Sequence, residues 1–157
     1  MINYQVIRPA GADDIPDICR LERLVFEPDL RWDDGEIAYQ VGRGRIIVAH
    51  LDDRPVSDHI IGYAAHQISG MIGYLSNLAV LSEYRSLGIG SSLVRAVLSK
   101  MRTEQVAGVE LDCDVELASF YERFGFVVCG FYLSGLWTPG SLPRRRLKMA
   151  MSLSVCP

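Results

Sequence analysis

No stretch of this sequence approaches the roughly 18 consecutive apolar residues of a membrane span, so no membrane partner is expected. Met1–Gln5 has neither a basic start nor an apolar core. No export signal is therefore expected, and a cytoplasmic location is. Cys19, Cys113, Cys129 and Cys156 form no CxxC pair and read as reduced thiols. His50, His59 and His66 have no cysteine at ligand spacing, so no metal is expected. Excess positive charge is missing too: the net charge is −3, which gives no footprint for a nucleic acid. What the chain does have is 49% hydrophobic and 22% charged residues, the balance of a globule with a sizeable core. Its 157 residues suit one domain, residues 1–157, as a monomer or homodimer.

Hydrophobic periodicity sets out the elements. Tyr4–Arg8 reads as a first strand. Asp13-Asp14 before Ile15-Pro16 reads as a helix start with acid at the cap, and Ile15, Ile18, Leu21 (or Glu22) and Val25 follow helical spacing. Glu27–Gly35 is a polar connection, with a short helix running on to Val41. Arg45–Leu51 and His59–His66 are strands on either side of a hairpin-type loop, Asp52-Asp53-Arg54-Pro55. Ile72–Leu81 is a strand, Ser91–Met101 a helix, Val109–Cys113 a strand and Val115–Phe124 a helix stopped by Gly125. Phe126–Phe131 and Leu147–Leu153 are the last strands, joined by a loop over Leu133–Arg146. The order is β-α-α-β-β-β-α-β-α-β-β: an α/β protein with a mixed, mostly antiparallel central sheet flanked by helices.

Between the 72–81 strand and the next helix stands Arg85-Ser86-Leu87-Gly88-Ile89-Gly90. A glycine-rich turn at a helix N-terminus offers free backbone N–H groups and the positive end of the helix dipole to an anion. Gly88 and Gly90 let backbone approach a phosphate closely. A Walker loop is excluded, because Gly90 is followed by Ser91-Ser92 with no lysine. A dinucleotide fingerprint is excluded as well, because its third glycine is replaced by Leu93. The stretch resembles the Arg/Gln-x-x-Gly-x-Gly/Ala pyrophosphate loop of the GNAT superfamily of N-acetyltransferases. Asn77–Val80 and Glu83-Tyr84-Arg85 resemble the segment that leads into that loop. Downstream, Phe120-Tyr121-Glu122-Arg123-Phe124-Gly125-Phe126 resembles the Phe/Leu-Tyr-Glu-x-x-Gly-Phe signature of the same superfamily.

The resemblance implies an enzyme that moves an acetyl group from acetyl-CoA to an amine by direct attack on the thioester. It implies that Arg85, Ser86, Leu87, Gly88, Ile89, Gly90 and Ser91 hold the pyrophosphate, with a Ser91 or Ser92 hydroxyl assisting. It implies that the backbone of Leu78, Ala79 and Val80 pairs with the pantetheine arm and supplies an oxyanion donor. Tyr121 is implied as the general acid for the leaving thiolate, while a second reading leaves it in an aromatic cluster with Phe120, Phe124 and Phe126. The strand ahead of the loop has no acid, so the general base stays open among Glu110, Asp112, Asp114 and His66. Cys113 is the one candidate for a covalent acyl-enzyme, read more simply as a small buried hydrophobe. The acids Glu27, Asp29, Asp33, Asp34 and Glu36 suit either a wall for the amine acceptor or, for Asp33-Asp34, a helix cap, which is favoured. Arg144-Arg145-Arg146 reads as a solvated strand entry. A non-catalytic acyl-CoA-binding module on the same fold is the alternative function.

Overall fold

The computed structural model describes residues 5–51, 60–135, 139–140 and 142–153. Seven strands, β1 (Gln5–Pro9), β2 (Ile46–Leu51), β3 (Ile60–Ser69), β4 (Ile72–Val80), β5 (Gly108–Asp114), β6 (Val127–Ser134) and β7 (Arg144–Ser152), form a sheet in the order β1-β2-β3-β4-β5-β7-β6. The helices are α1 (Ile15–Val25), α2 (Asp34–Gly42), α3 (Ile89–Thr103) and α4 (Ala118–Glu122). Only β4 and β5 pair in parallel among the strand pairs with a described register, from Ile72↔Gly108 to Leu75↔Leu111. That is the mixed, mostly antiparallel sheet with flanking helices that the sequence predicts. The hairpin loop expected at Asp52–Pro55, with His59 and Cys156, lies outside the described residues.

The chain divides into two compact units, Met1–His66 with Asn77–Lys100, and Gln67–Ser76 with Met101–Pro157. The core of the first gathers Ile18, Leu21 and Ile37 from α1 and α2 onto Ile46, Val48, Ile60, Tyr63 and Ala79 of the strands. The second buries Val109, Leu111 and Cys113 of β5, Leu147 and Met149 of β7, Tyr121 and Phe126.

Two local features differ from the sequence reading, and one favoured reading holds. Asp14 stands at the N-cap of α1 as read, but its side chain makes no capping hydrogen bond. Its carboxylate forms a fork with the Arg8 guanidinium at 2.7 and 2.9 Å and takes the Gly11 N–H at 2.8 Å, because a charged, two-point partner outcompetes a single amide. Asp33 is the cap the sequence favours: its side chain accepts from the Glu36 N–H at 2.7 Å. The segment after β5 opens with a 3-10 turn over Val115–Leu117 and only then becomes α4, which ends before Gly125 at φ +99°.

Gly62 on β3 seats α3. A methyl group there would stand 2.9 Å from the Ala79 carbonyl oxygen and 3.3 Å from side-chain carbons of Leu93 and Val80. Close approach of this kind needs a residue without a Cβ. Gly62→Val is expected to cost about 1–3 kcal/mol by overpacking. The check is chemical denaturation beside wild type; unchanged stability would show that the β4 backbone at Ala79 and the Leu93 side chain both give way.

Candidate active site

One candidate set is built from the end of β4 and the start of α3, both in the first unit. β4 alternates: Asn77 and Ala79 are buried, while Leu78 and Val80 are partly exposed on the other face. The Leu81 N–H donates to the Ile61 carbonyl at 2.8 Å, which fixes where β4 ends against β3. A 3-10 turn over Ser82–Tyr84 follows, and then the exposed turn Arg85–Gly88. Two residues of that turn adopt the left-handed region, Ser86 at φ +62° and Gly88 at φ +82°. The glycine adopts it without strain. No atom lies within 4 Å of where a Gly88 Cβ would be, so the space above this backbone is open.

The helix begins at Ile89, two residues earlier than the sequence reading sets it. The Ser92 N–H is the first to close back, onto the Gly88 carbonyl at 3.0 Å. The N–H groups of Ile89, Gly90 and Ser91 therefore precede the first helical hydrogen bond, at the positive end of the α3 dipole. Ser92 Oγ is already engaged: it donates to the Gly88 carbonyl at 3.1 Å and accepts from Gln5 Nε2 at 3.0 Å. That removes Ser92 from the pair of hydroxyls expected to assist an anion and leaves Ser91. Arg85 is exposed, and its Nε donates to the Val80 carbonyl at 3.2 Å, which folds the turn back over the end of β4.

A second set lies within the other unit. Tyr121 of α4 is buried and makes edge-to-face contacts with Phe120 (centroids 4.9 Å apart) and Phe126 (6.1 Å), so the aromatic cluster exists as read. Burial is the main cause that holds its phenol above the ordinary tyrosine value; nearby Cys113 adds to the rise and Arg146 opposes it. The hydroxyl keeps its proton at neutral pH. Cys113 is buried with its Sγ 3.6 Å from the Met149 sulfur, and burial pushes its thiol up as well. A thiol held in that form is a poor nucleophile, which speaks against the covalent route.

On the opposite face of β5 stand Glu110, Asp112 and Asp114, alternating with the buried Val109, Leu111 and Cys113. Register sets Tyr74 of β4 beside Glu110, Lys148 of β7 beside Asp112, and Arg146 beside Asp114. Tyr74, Glu110, Asp112 and Lys148, with Leu111, Met149 and Cys129, line an open pocket of about 360 Å³. Asp112 accepts from Tyr132 Oη at 3.1 Å, and the Tyr74 phenol is raised first by burial and then by the Asp112 carboxylate. Arg146 is not the solvated side chain expected: it pairs with Asp114 at 3.1 Å and donates to the Asp112 carbonyl at 3.3 Å. Asp114 is thus paired, while Glu110 and Asp112 outnumber Lys148, the cation in the pocket lining. Ser76 Oγ, in period two with Tyr74 along β4, is buried with no hydrogen-bond partner among the described residues. His66 is fully buried on β3 in the first unit. Sequence reasoning names the two acids but misses Tyr74, Tyr132 and Lys148. The available signal is their period-two spacing; their meeting depends on strand register.

A mixed sheet with a parallel β4–β5 ladder, a glycine turn opening α3 and a tyrosine on a short α4 are the features that the sequence resemblance leads one to expect. The profile of the acetyltransferase (GNAT) domain matches residues 42–128, and the chain belongs to that family. It is 29% identical over 137 residues to N-alpha-acetyltransferase 30 of Schizosaccharomyces pombe, which covers 82% of this chain and 91% of the relative. Its fold is similar to the ribosomal-protein-S18-alanine N-acetyltransferase from Escherichia coli, at a TM-score of 0.80 and 18% identity over 98% of this chain and 97% of that one. It is also similar to Arabidopsis thaliana NAA60 in complex with acetyl-CoA, at a TM-score of 0.81 and 19% identity over 96% of this chain and 99% of that one. The protein is an N-acetyltransferase that moves an acetyl group from acetyl-CoA to an amine. Among the described residues no helix is long and apolar enough to cross a membrane.

Proposed function

We propose that the acceptor is the α-amine of a peptide or protein N-terminus, acetylated in the cytoplasm by direct attack on acetyl-CoA. The observation that carries this reading is the likeness to an N-alpha-acetyltransferase over most of both chains. The acidic pocket supports it. An N-terminal ammonium must be drawn in and must lose a proton before it can attack, and Glu110 and Asp112 offer both a field and a proton acceptor. Tyr74, raised in part by the Asp112 carboxylate, relays that proton to it.

On the cofactor side, the N–H groups of Ile89, Gly90 and Ser91 and the turn Arg85–Gly88 hold the pyrophosphate. Leu87, exposed at the tip of the turn, contributes its backbone. The backbone of Leu78, Ala79 and Val80 aligns the pantetheine and donates to the carbonyl oxygen as negative charge grows there. Tyr121 gives its proton to the departing thiolate. The thioester C–S bond breaks, the new C–N bond forms, and the amine proton leaves through the pocket.

The test is an acceptor panel read by thiol release. Peptides with a free α-amine are expected to react at least about tenfold faster in kcat/KM than free lysine, a polyamine or an aminoglycoside, equivalent to about 1.4 kcal/mol of transition-state discrimination. A polyamine or aminoglycoside that outpaces every peptide would replace the proposed acceptor class.

A further inference from the structure

Glu22 lies in the apolar register of α1 and takes no part in the steps above. Among the described residues it is the only carboxylate in the buried set, with 1% of its surface exposed. Its Oε1 accepts from the backbone N–H of Trp32 at 2.8 Å and from Asn77 Nδ2 at 3.1 Å. Its Oε2 accepts from Tyr63 Oη, and Asn77 Nδ2 also donates to that phenol oxygen at 3.2 Å. One carboxylate therefore ties together α1, the connection ahead of α2, β3 and β4, all within the first unit. All three of its donors are neutral groups. Burial pushes the carboxyl up, and the bonds from Tyr63, Trp32 and Asn77 oppose that push.

Such an arrangement is a poor way to hold a core together. A carboxylate removed from water is costly, and apolar residues of similar volume commonly serve stability as well or better. What a fully satisfied buried network does provide is a single geometry. The geometry fixed here is that of β4. Asn77 immediately precedes Leu78, and because successive side chains alternate across a strand, pinning the Asn77 amide sets the rotation of the peptide groups that follow.

We infer that Glu22 is a positioning residue for acetyl transfer, holding the β4 backbone at 78–80 in its working orientation through Asn77 and Tyr63. The inference rests on the reading that this backbone aligns the thioester. Misplacement by about 1 Å at a reacting group can cost about 10²-fold in rate, so small rotations of β4 matter far more to turnover than to folding.

The experiment uses Glu22→Gln, Tyr63→Phe and the exchanged pair Glu22→Gln with Asn77→Asp. The exchanged pair moves the carboxylate across to β4 while keeping an acceptor for the phenol and for the Trp32 N–H. Each single variant is expected to lower kcat about tenfold or more at saturating substrates, with acceptor KM little changed. The exchanged pair is expected to recover most of the loss, the non-additivity of residues that act as one unit. Thermal unfolding of each variant gives the folded fraction used to normalise kcat. If the single variants move only Tm and keep wild-type kcat per folded molecule, Glu22 is merely structural and the inference is wrong. If the exchanged pair is as slow as Glu22→Gln alone, coupling through Asn77 is wrong. Wild-type protein that neither binds acetyl-CoA nor releases thiol would overturn the underlying reading instead, a result separable from both.

Discussion

Tyr121→Phe is expected to lower kcat by about 10²–10⁴-fold while leaving acetyl-CoA affinity close to wild type. The variant keeps the ring and its edge-to-face contacts with Phe120 and Phe126 and removes only the proton to be donated. Burial keeps the Tyr121 phenol protonated across the whole working range of a thioester enzyme. Stability is expected to change little, because the aromatic packing survives. The comparison is kcat with the best peptide acceptor, cofactor affinity and Tm for both proteins. Turnover near that of wild type would return Tyr121 to the aromatic cluster alone and leave protonation of the thiolate to water.

Gly90→Val is expected to abolish the stabilisation that acetyl-CoA gives the wild-type protein. At a 100-fold excess over its dissociation constant a ligand stabilises by about 2.7 kcal/mol. For a chain of this length that corresponds to roughly 5–10 °C in Tm. Gly90 is the second residue of α3, where valine has an accessible backbone conformation, so the variant is expected to fold. Its branched side chain then crowds the N–H groups that precede the first helical hydrogen bond. Gly88 is the less informative position to change, because its φ of +82° makes any side chain strained whether or not a phosphate binds. A full thermal shift in Gly90→Val would move the pyrophosphate away from the start of α3.

The elements that carry local signals were legible in the sequence. Strand, glycine turn and helix over 72–103 follow from alternation, from Gly88 and from helical spacing, all short-range properties of the chain. Gly125 marks the end of the α4 segment for the same reason. The acidic pocket was legible only as a column of acids on β5. Tyr74, Lys148 and Tyr132 reach Asp112 through the register of four strands, which depends on pairing far apart in sequence. Arg146 looked like one of three solvated arginines until its register beside Asp114 gave it a partner. Glu22 stood in the apolar register of α1 next to Leu21, where an acid in a core position was itself a signal. Its partners, 10, 41 and 55 residues away, could not be read from spacing.

The central claim is that an acceptor amine attacks acetyl-CoA directly at this site, and thiol release with and without acceptor tests it most directly. Enzyme, acetyl-CoA and a peptide with a free α-amine are expected to release thiol in step with acetylation of that amine. The same peptide blocked at its N-terminus is expected to release none, and neither is enzyme with acetyl-CoA alone. A stoichiometric burst of thiol without acceptor would mean an acyl-enzyme and contradict direct attack, and silence with every free amine would contradict the assignment of the site.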